Sequence, residues 1–394
     1  MASLSTDTIV GVLGAGAMGT GIAQVAATYG HSVVLMDANE AALERAAGSL
    51  SDAMARQVEK GKRTQADADA ILGRIDLIPG ENLKPLAKCG LVIEAIIESL
   101  AAKLEVFSAL EGVVEPDAVL ATNTSSLSIG SIAAPCERGG RVCGVHFFNP
   151  APVMPLVEIV PWLASDDDVI ADVTALIDGW GKTTVVAADT PGFIVNRIAR
   201  PFYGESIRCL EEGVASVETI DWAMRDVGGF RMGPFELMDF IGLDVNYAVT
   251  CSVYDGFFQE PRYRPSQTQR RYVEAGFLGR KSEQGFYDYF DGAEQREPVK
   301  DRALGERIRD RVVAMLINEA VDALFLRVAS AADIEVAMLK GVNYPKGLLA
   351  WCDELGAATV LARLDALYDE YREDRYRASP LLRRLVRDNR PVLA

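Results

Sequence analysis

Ile9-Val10-Gly11-Val12-Leu13-Gly14-Ala15-Gly16-Ala17-Met18-Gly19 decides the fold. The first five residues make a short buried strand, and the glycines follow at once. A helical pattern starts directly behind them, with apolar positions at Ile22, Val25 and Ala26, and stops at Gly30-His31. Val33-Val34-Leu35-Met36-Asp37 is a second strand ending in an acid, 21 residues past Gly16. Three glycines at this spacing are weak evidence alone. Set between strand and helix, with an acid at that distance, they read as a dinucleotide-binding loop. Gly14 allows the tight turn, Gly16 lets backbone approach a pyrophosphate, and Gly19 lets the helix pack closely on the strand. The helix N-terminus at Ala17 and Met18 would meet the pyrophosphate. Asp37 would accept hydrogen bonds from the adenosine ribose and repel a 2′-phosphate. Ala38-Asn39-Glu40 supplies no arginine, so NAD is expected over NADP.

Composition narrows the rest. The 394 residues leave room for two or three domains. The chain is 49% apolar and 24% charged, as in ordinary globular proteins. A net charge of -16 argues against a general nucleic-acid or anionic-membrane binder. Six cysteines without CxxC spacing, and only two histidines, give no zinc pattern and point to a reducing, cytoplasmic compartment. No metal site is expected. No apolar stretch reaches the length of a membrane span, and the first apolar run leads into a glycine loop, so it reads as a strand and not as a signal peptide.

Residues 40–74 read as two helices joined at Gly61-Lys62-Arg63-Thr64. A Rossmann crossover needs only one, so this segment is expected to be an insertion. Leu91-Val92-Ile93 is the next strand, and a helix carrying Lys103 follows it. Ala118 to Thr122 runs as a strand into the polar turn Asn123-Thr124-Ser125-Ser126, at the sheet edge where ligands sit in open α/β folds. Ser125 equally suits a helix N-cap. Gly144-Val145-His146-Phe147-Phe148-Asn149-Pro150 reads as a buried strand ending near a histidine. Leu156-Val157-Glu158-Ile159-Val160 is an apolar strand containing one glutamate. An antiparallel or neighbouring arrangement would bring Glu158 beside His146, where it would fix the imidazole tautomer and stabilise the imidazolium. His31, at a helix-to-strand turn, is expected to be structural.

Asp189-Thr190-Pro191-Gly192-Phe193 ends the α/β pattern. The expected organisation is a dinucleotide-binding domain over 1–188, a first helical domain over 189–290, and a second helical repeat over 291–394. Helices are expected over Ile194 to Glu212, Val217 to Val227, Gly233 to Asp239 and Leu243 to Phe257. Asn196 lies in the first turn of the first of these. The segment around Lys281 is glycine-rich, basic and aromatic. At an offset of 114 residues Glu205 matches Glu319, Val214-Ala215-Ser216 matches Val328-Ala329-Ser330, Gly233 matches Gly347 and Asp239 matches Asp353. Arg262-Tyr263-Arg264 recurs as Arg375-Tyr376-Arg377. This is an internal duplication of a helical unit. The second copy lacks counterparts of the Asn196 entry and the Lys281 segment, so it reads as structural. It leaves the choice between monomer and homodimer open.

Taken together, Gly14-x-Gly16-x-Met18-Gly19, Asn123-Thr124-Ser125-Ser126-Leu127, His146-Phe147-Phe148-Asn149-Pro150, Val157-Glu158-Ile159-Val160, Pro191-Gly192-Phe193-Ile194-Val195-Asn196-Arg197 and Gly233-Pro234-Phe235-Glu236 resemble the 3-hydroxyacyl-CoA dehydrogenase family. The resemblance spans about residues 7 to 290, with the duplicated helical unit beyond. It implies an α/β Rossmann-type domain followed by an all-α part, and NAD-dependent oxidation of an (S)-3-hydroxyacyl-CoA in fatty-acid or phenylacetate breakdown. It implies His146 as general acid/base with Glu158 orienting it, and Ser125 and Asn196 positioning the substrate. Gly14, Gly16, Gly19 and Asp37 would hold adenosine and pyrophosphate. Glu98, Lys103, Asn123, Asn149 and Lys281 would lie around the cofactor, and Ser49 and Arg56, with Lys60 or Lys62 as substitutes, would touch coenzyme A. A gulonate-type dehydrogenase and a silent NAD-binding structural protein are the alternatives. A 6-phosphogluconate-type enzyme shares the glycine loop but would use a lysine where this chain has the His146 segment.

Overall fold

One eight-stranded sheet organises the first half of the chain: β1 (Val10–Leu13), β2 (Val33–Asp37), β3 (Ile75–Pro79), β4 (Leu91–Glu94), β5 (Val119–Thr122), β6 (Val142–Phe147), β7 (Leu156–Val160) and β8 (Thr183–Val186). The computed structural model describes residues 4–294 and 296–393. The spatial order is β3-β2-β1-β4-β5-β6-β7-β8. The first six strands run parallel, β7 turns back against β6, and β8 runs parallel to β7. The chain leaves β1 in one direction for β2 and β3, then resumes on the other side at β4. That reversal opens a crevice at the carboxyl ends of β1 and β4, where such sheets bind ligands.

Strand alternation supplies both layers. Val10, Val12, Leu35, Ile93, Ala121 and Val145 face one core, shared with α1 (Ala17–Thr28), α2 (Glu40–Glu59), α3 (Gln65–Leu72) and the later α6. Leu13, Met36, Val92, Leu120 and Val142 face the other, covered by α4 (Leu100–Glu111) and α5 (Ile129–Ala133). Helix α6 (Asp167–Gly179) joins β7 to β8. Full burial of a side chain such as Ile93 contributes about 1.5–3 kcal/mol, which is why strands covered on both faces are almost wholly apolar.

Two expectations change here. The helices of residues 40–74 do not return directly to the sheet centre. They cross over to β3, an edge strand that the sequence pattern did not reveal. Ile75-Asp76-Leu77-Ile78-Pro79 is short, half-exposed and proline-terminated, which suits an edge and weakens the periodic signal. Ser125 is also not the cap of the following helix. Ser128 is, its side chain accepting the N–H of Ser131.

The chain divides into two compact units, Met1–Thr190 and Pro191–Ala394. The second is helical: α7 (Val195–Ile198), α8 (Arg200–Glu211), α9 (Val217–Trp222) running into a π turn at Ala223–Val227, α10 (Pro234–Ile241), α11 (Leu243–Gly256), α12 (Gln267–Glu274), α13 (Arg302–Phe325), α14 (Ala331–Gly341), α15 (Leu348–Leu355), α16 (Ala357–Tyr371) and α17 (Pro380–Arg387). The helix expected over Ile194 to Glu212 is broken at Ala199, just before Pro201. A shift of 114 residues carries α8 onto the last half of α13, α9 with its π turn onto α14, α10 onto α15, and α11 onto α16. A shift of 113 carries α12 onto α17. The two copies therefore share their helices as well as their sequence pattern.

Candidate active site

The glycine loop is built for an anion. Gly14 has φ +105, and a Cβ there would meet Ala95 O at 2.5 Å. At Gly19 a Cβ would lie 1.8 Å from Gly14 O, so helix and strand touch at backbone level. A Cβ at Gly16 would meet nothing within 4 Å. It would project into open space at the start of α1. No side chain caps that helix and no acid stands in its first turn, leaving the N–H groups around Ala17 and Met18 turned toward the crevice. Asp37 ends β2 beside this loop. Its Oδ2 accepts the N–H of Ala15 at 2.7 Å and its Oδ1 that of Asn39 at 2.8 Å. Uncapped donors, a cradle that a side chain would fill and an acid at the ribose position fit NAD.

Next along the same sheet edge is an acidic cluster. Glu94, at the end of β4, is fully buried. It accepts from Lys103 Nζ at 2.6 Å, Thr122 Oγ1 at 2.7 Å and the Ile96 N–H at 2.7 Å. Glu98 gathers the turn after β5, accepting from Thr124 Oγ1 at 2.6 Å, the Ser125 N–H at 3.0 Å and Ser126 Oγ at 3.0 Å. Lys103 stands 3.4 Å behind it. Burial alone would raise the Glu98 carboxyl, but the hydrogen bonds from Thr124, Ser125 and Ser126 and the Lys103 charge hold it below its usual range. Lys103 is itself buried, with its ammonium on Glu94 and Glu98. Expected beside the cofactor, Lys103 is thus enclosed by these two carboxylates, and Glu98 is the more exposed member of the group.

His146 and Glu158 are directly opposite in the antiparallel β6–β7 ladder. Side chains at opposite positions project to the same face, so register alone brings them together. His146 Nδ1 lies 2.6 Å from Glu158 Oε2, and Glu158 is fully buried. The ring packs on Phe148, with centroids 4.5 Å apart. The Nδ1 contact with the carboxylate fixes the orientation of the ring. Asn123 Oδ1 accepts the N–H of Phe147 at 2.8 Å and fixes the strand next to the histidine. Lys182 Nζ donates to the carbonyls of Ala151 and Met154, closing the turn between the two strands. Asn149 is exposed on that turn. By contrast, His31 uses both ring nitrogens internally, Nδ1 on Thr8 O at 2.8 Å and Nε2 receiving Trp180 Nε1–H at 2.9 Å.

Ser49 and Arg56 are exposed and two helical turns apart on α2. In the helical unit, Asn196 sits half-buried in α7, and its carbonyl accepts Arg200 Nε at 2.7 Å. Lys281 is exposed in the middle of a 3₁₀ turn (Arg280–Ser282) and paired with Asp244. Asp239 anchors that loop by accepting the N–H groups of Phe286 and Tyr287. Sequence inspection passed over three supports: Glu94, Lys182, and Asp189, whose carboxylate accepts the N–H groups of Ile129 and Gly130 at the start of α5. Only Glu94 carried a visible signal, an acid ending a strand as Asp37 does. Among the described residues no His, Cys, Asp and Glu group could hold a metal, and no helix is long and apolar enough to cross a membrane.

Comparison with known proteins identifies the family. Residues 9–190 match the 3-hydroxyacyl-CoA dehydrogenase NAD-binding domain, and residues 192–289 and 308–392 match the C-terminal domain of the same family. A 3-hydroxyadipyl-CoA dehydrogenase of Escherichia coli is 40% identical over 95% of this chain and 96% of its own length. A probable 3-hydroxybutyryl-CoA dehydrogenase of Bacillus subtilis is 45% identical over 71% of this chain and 96% of its own. The crystal structure of a 3-hydroxybutyryl-CoA dehydrogenase from Escherichia coli superposes with a TM-score of 0.89 at 39% identity, covering 98% of this chain and all of that one.

Proposed function

Because the chain belongs to the 3-hydroxyacyl-CoA dehydrogenase family, we propose that His146 and Glu158 form the acid/base pair that moves the substrate's hydroxyl proton. The activity is reversible NAD-dependent oxidation of a 3-hydroxyacyl-CoA to the 3-oxoacyl-CoA. The observation that carries the residue assignment is the 2.6 Å contact of His146 Nδ1 with buried Glu158, at the sheet edge that also bears the glycine loop.

Bound at the glycine loop, NAD supplies the hydride acceptor. The chain's own residues do the rest. His146 takes the 3-hydroxyl proton at Nε2 as the C3–H electron pair departs, and returns it in the reverse reaction. Glu158 balances the imidazolium that forms and keeps its tautomer. Ser125, on the turn clasped by Glu98, and Asn196 orient the hydroxyl and thioester ends of the substrate. Asn149 and Lys281 adjoin the cofactor, and Ser49 and Arg56 contact coenzyme A. General base catalysis of this kind contributes about 10²- to 10⁴-fold.

A short acyl chain is the preferred substrate, since relatives that align over nearly the full chain bear the names 3-hydroxyadipyl-CoA and 3-hydroxybutyryl-CoA dehydrogenase. The setting would be fatty-acid or phenylacetate breakdown in the cytoplasm, a location supported by six cysteines that are all free thiols. NADH oxidation with acetoacetyl-CoA, 3-oxohexanoyl-CoA and 3-oxoadipyl-CoA tests this. Turnover is expected on at least one, with the best of them naming the chain length. Turnover of a free hydroxy acid in place of all three would refute the substrate class.

A further inference from the structure

Two buried charge clusters in the helical unit are related by the internal repeat. Glu319 is fully buried and receives Arg197 Nε at 2.6 Å, Arg262 Nη1 at 3.0 Å and the Tyr263 hydroxyl. Glu205, its counterpart, receives Arg311 Nε at 3.0 Å and the Tyr376 hydroxyl at 2.9 Å, with Arg375 4.0 Å away. Arg311 is the repeat equivalent of Arg197, and Arg375-Tyr376 of Arg262-Tyr263. Each copy therefore supplies the glutamate for the other copy's arginines and tyrosine.

The clusters match in chemistry but differ in what they hold. Arg311 lies within α13, a helix of 24 residues that its own ladder and packing keep in place. Arg197 lies in α7, a helix of four residues. So short a helix cannot sustain itself, because nucleation fixes several dihedrals for one hydrogen bond. Its position is set from outside. Arg197 N–H reaches Gly192 O at 3.1 Å, Arg200 Nε reaches Asn196 O, and the Arg197 side chain runs to Glu319 and, at 3.2 Å, Asp322. Asn196 is the residue immediately before Arg197. A buried ion pair is weak evidence for stability, since apolar replacements of similar size are often neutral or better.

We infer that Glu319, from the second repeat, is a positioning residue for the reaction: by gripping Arg197 it fixes α7 and thereby the side chain of Asn196. This rests on the proposed substrate contact of Asn196. It gives the second repeat a part in catalysis instead of a purely structural one.

The repeat provides its own control. Glu319→Gln and Glu205→Gln remove equivalent buried charges, and Tyr263→Phe and Tyr376→Phe are a milder matched pair if the first two fold poorly. All four, with Asn196→Ala, are assayed for acetoacetyl-CoA reduction below every variant's Tm. Expected is a kcat loss on the order of 10- to 100-fold in Glu319→Gln, the scale of a misplaced reacting group. A smaller loss in Tyr263→Phe, and unchanged kcat in Glu205→Gln and Tyr376→Phe despite a similar fall in Tm, complete the expected pattern. Equal kcat losses in both members of a pair, or in neither, would overturn the inference. Unchanged kcat in Asn196→Ala would instead refute the underlying assignment of Asn196.

Discussion

Asp37 Oδ2 accepts the backbone N–H of Ala15 at 2.7 Å, so the acid that ends β2 braces the glycine loop it serves. Its carboxylate shapes the loop, and the proposed second task is to meet the ribose. Asp37→Ala is expected to raise KM for NAD while lowering KM for NADP, because the charge that repels a 2′-phosphate is gone. Initial rates with both cofactors check this; unchanged values for both would remove Asp37 from the cofactor site.

The glycines of the loop separate folding from binding. Gly16→Ala places a methyl in open space with φ -71, a conformation alanine adopts freely. Tm should stay near wild type while NADH affinity collapses, as the methyl fills the pyrophosphate's approach. Gly19→Ala drives a Cβ into Gly14 O and should fail to give a stable fold. Thermal melts alongside NADH fluorescence titrations distinguish the two.

Glu98 predicts a pH signature. Its native carboxyl is held below the unfolded value of about 4.3, so it stabilises the fold above that pH and the stabilisation is lost as pH falls through the native value. Glu98→Gln should lower Tm at neutral pH, with the difference from wild type closing below about pH 4. Melting curves across that range provide the check, and a gap independent of pH would mean the carboxylate's charge is not what matters.

Much of this arrangement could be read from local pattern. The glycine loop, Asp37, and the apolar strand before each were legible because strand period, turn residues and spacing all lie within a short window. His146 and Glu158 were legible as a pair because β6 and β7 are sequential antiparallel strands whose register the apolar pattern constrains. Strand β3 was hidden by its exposure and its proline. Glu94 and Lys103 form an ion pair only because β4 and α4 fold over each other, and Lys182 reaches a turn 28 residues earlier. The Arg197–Glu319 contact spans 122 residues. The repeat was visible in the sequence, but the exchange of partners between its copies is a property of packing alone.

Glu158→Gln tests the carboxylate separately from the histidine. The amide still reaches Nδ1 but cannot balance an imidazolium. Lower kcat with little change in KM for the acyl-CoA is expected, and the loss should be smaller than that from removing His146. Wild-type kcat in this variant would reduce Glu158 to a packing role.

The most direct measurement is turnover of acetoacetyl-CoA by His146→Gln, with NADH binding followed by fluorescence on the same preparation. Because His146 is assigned the proton and the glycine loop the cofactor, NADH affinity should hold while kcat falls about 10²- to 10⁴-fold. Near-normal kcat with intact binding would contradict the assignment of His146 as the acid/base.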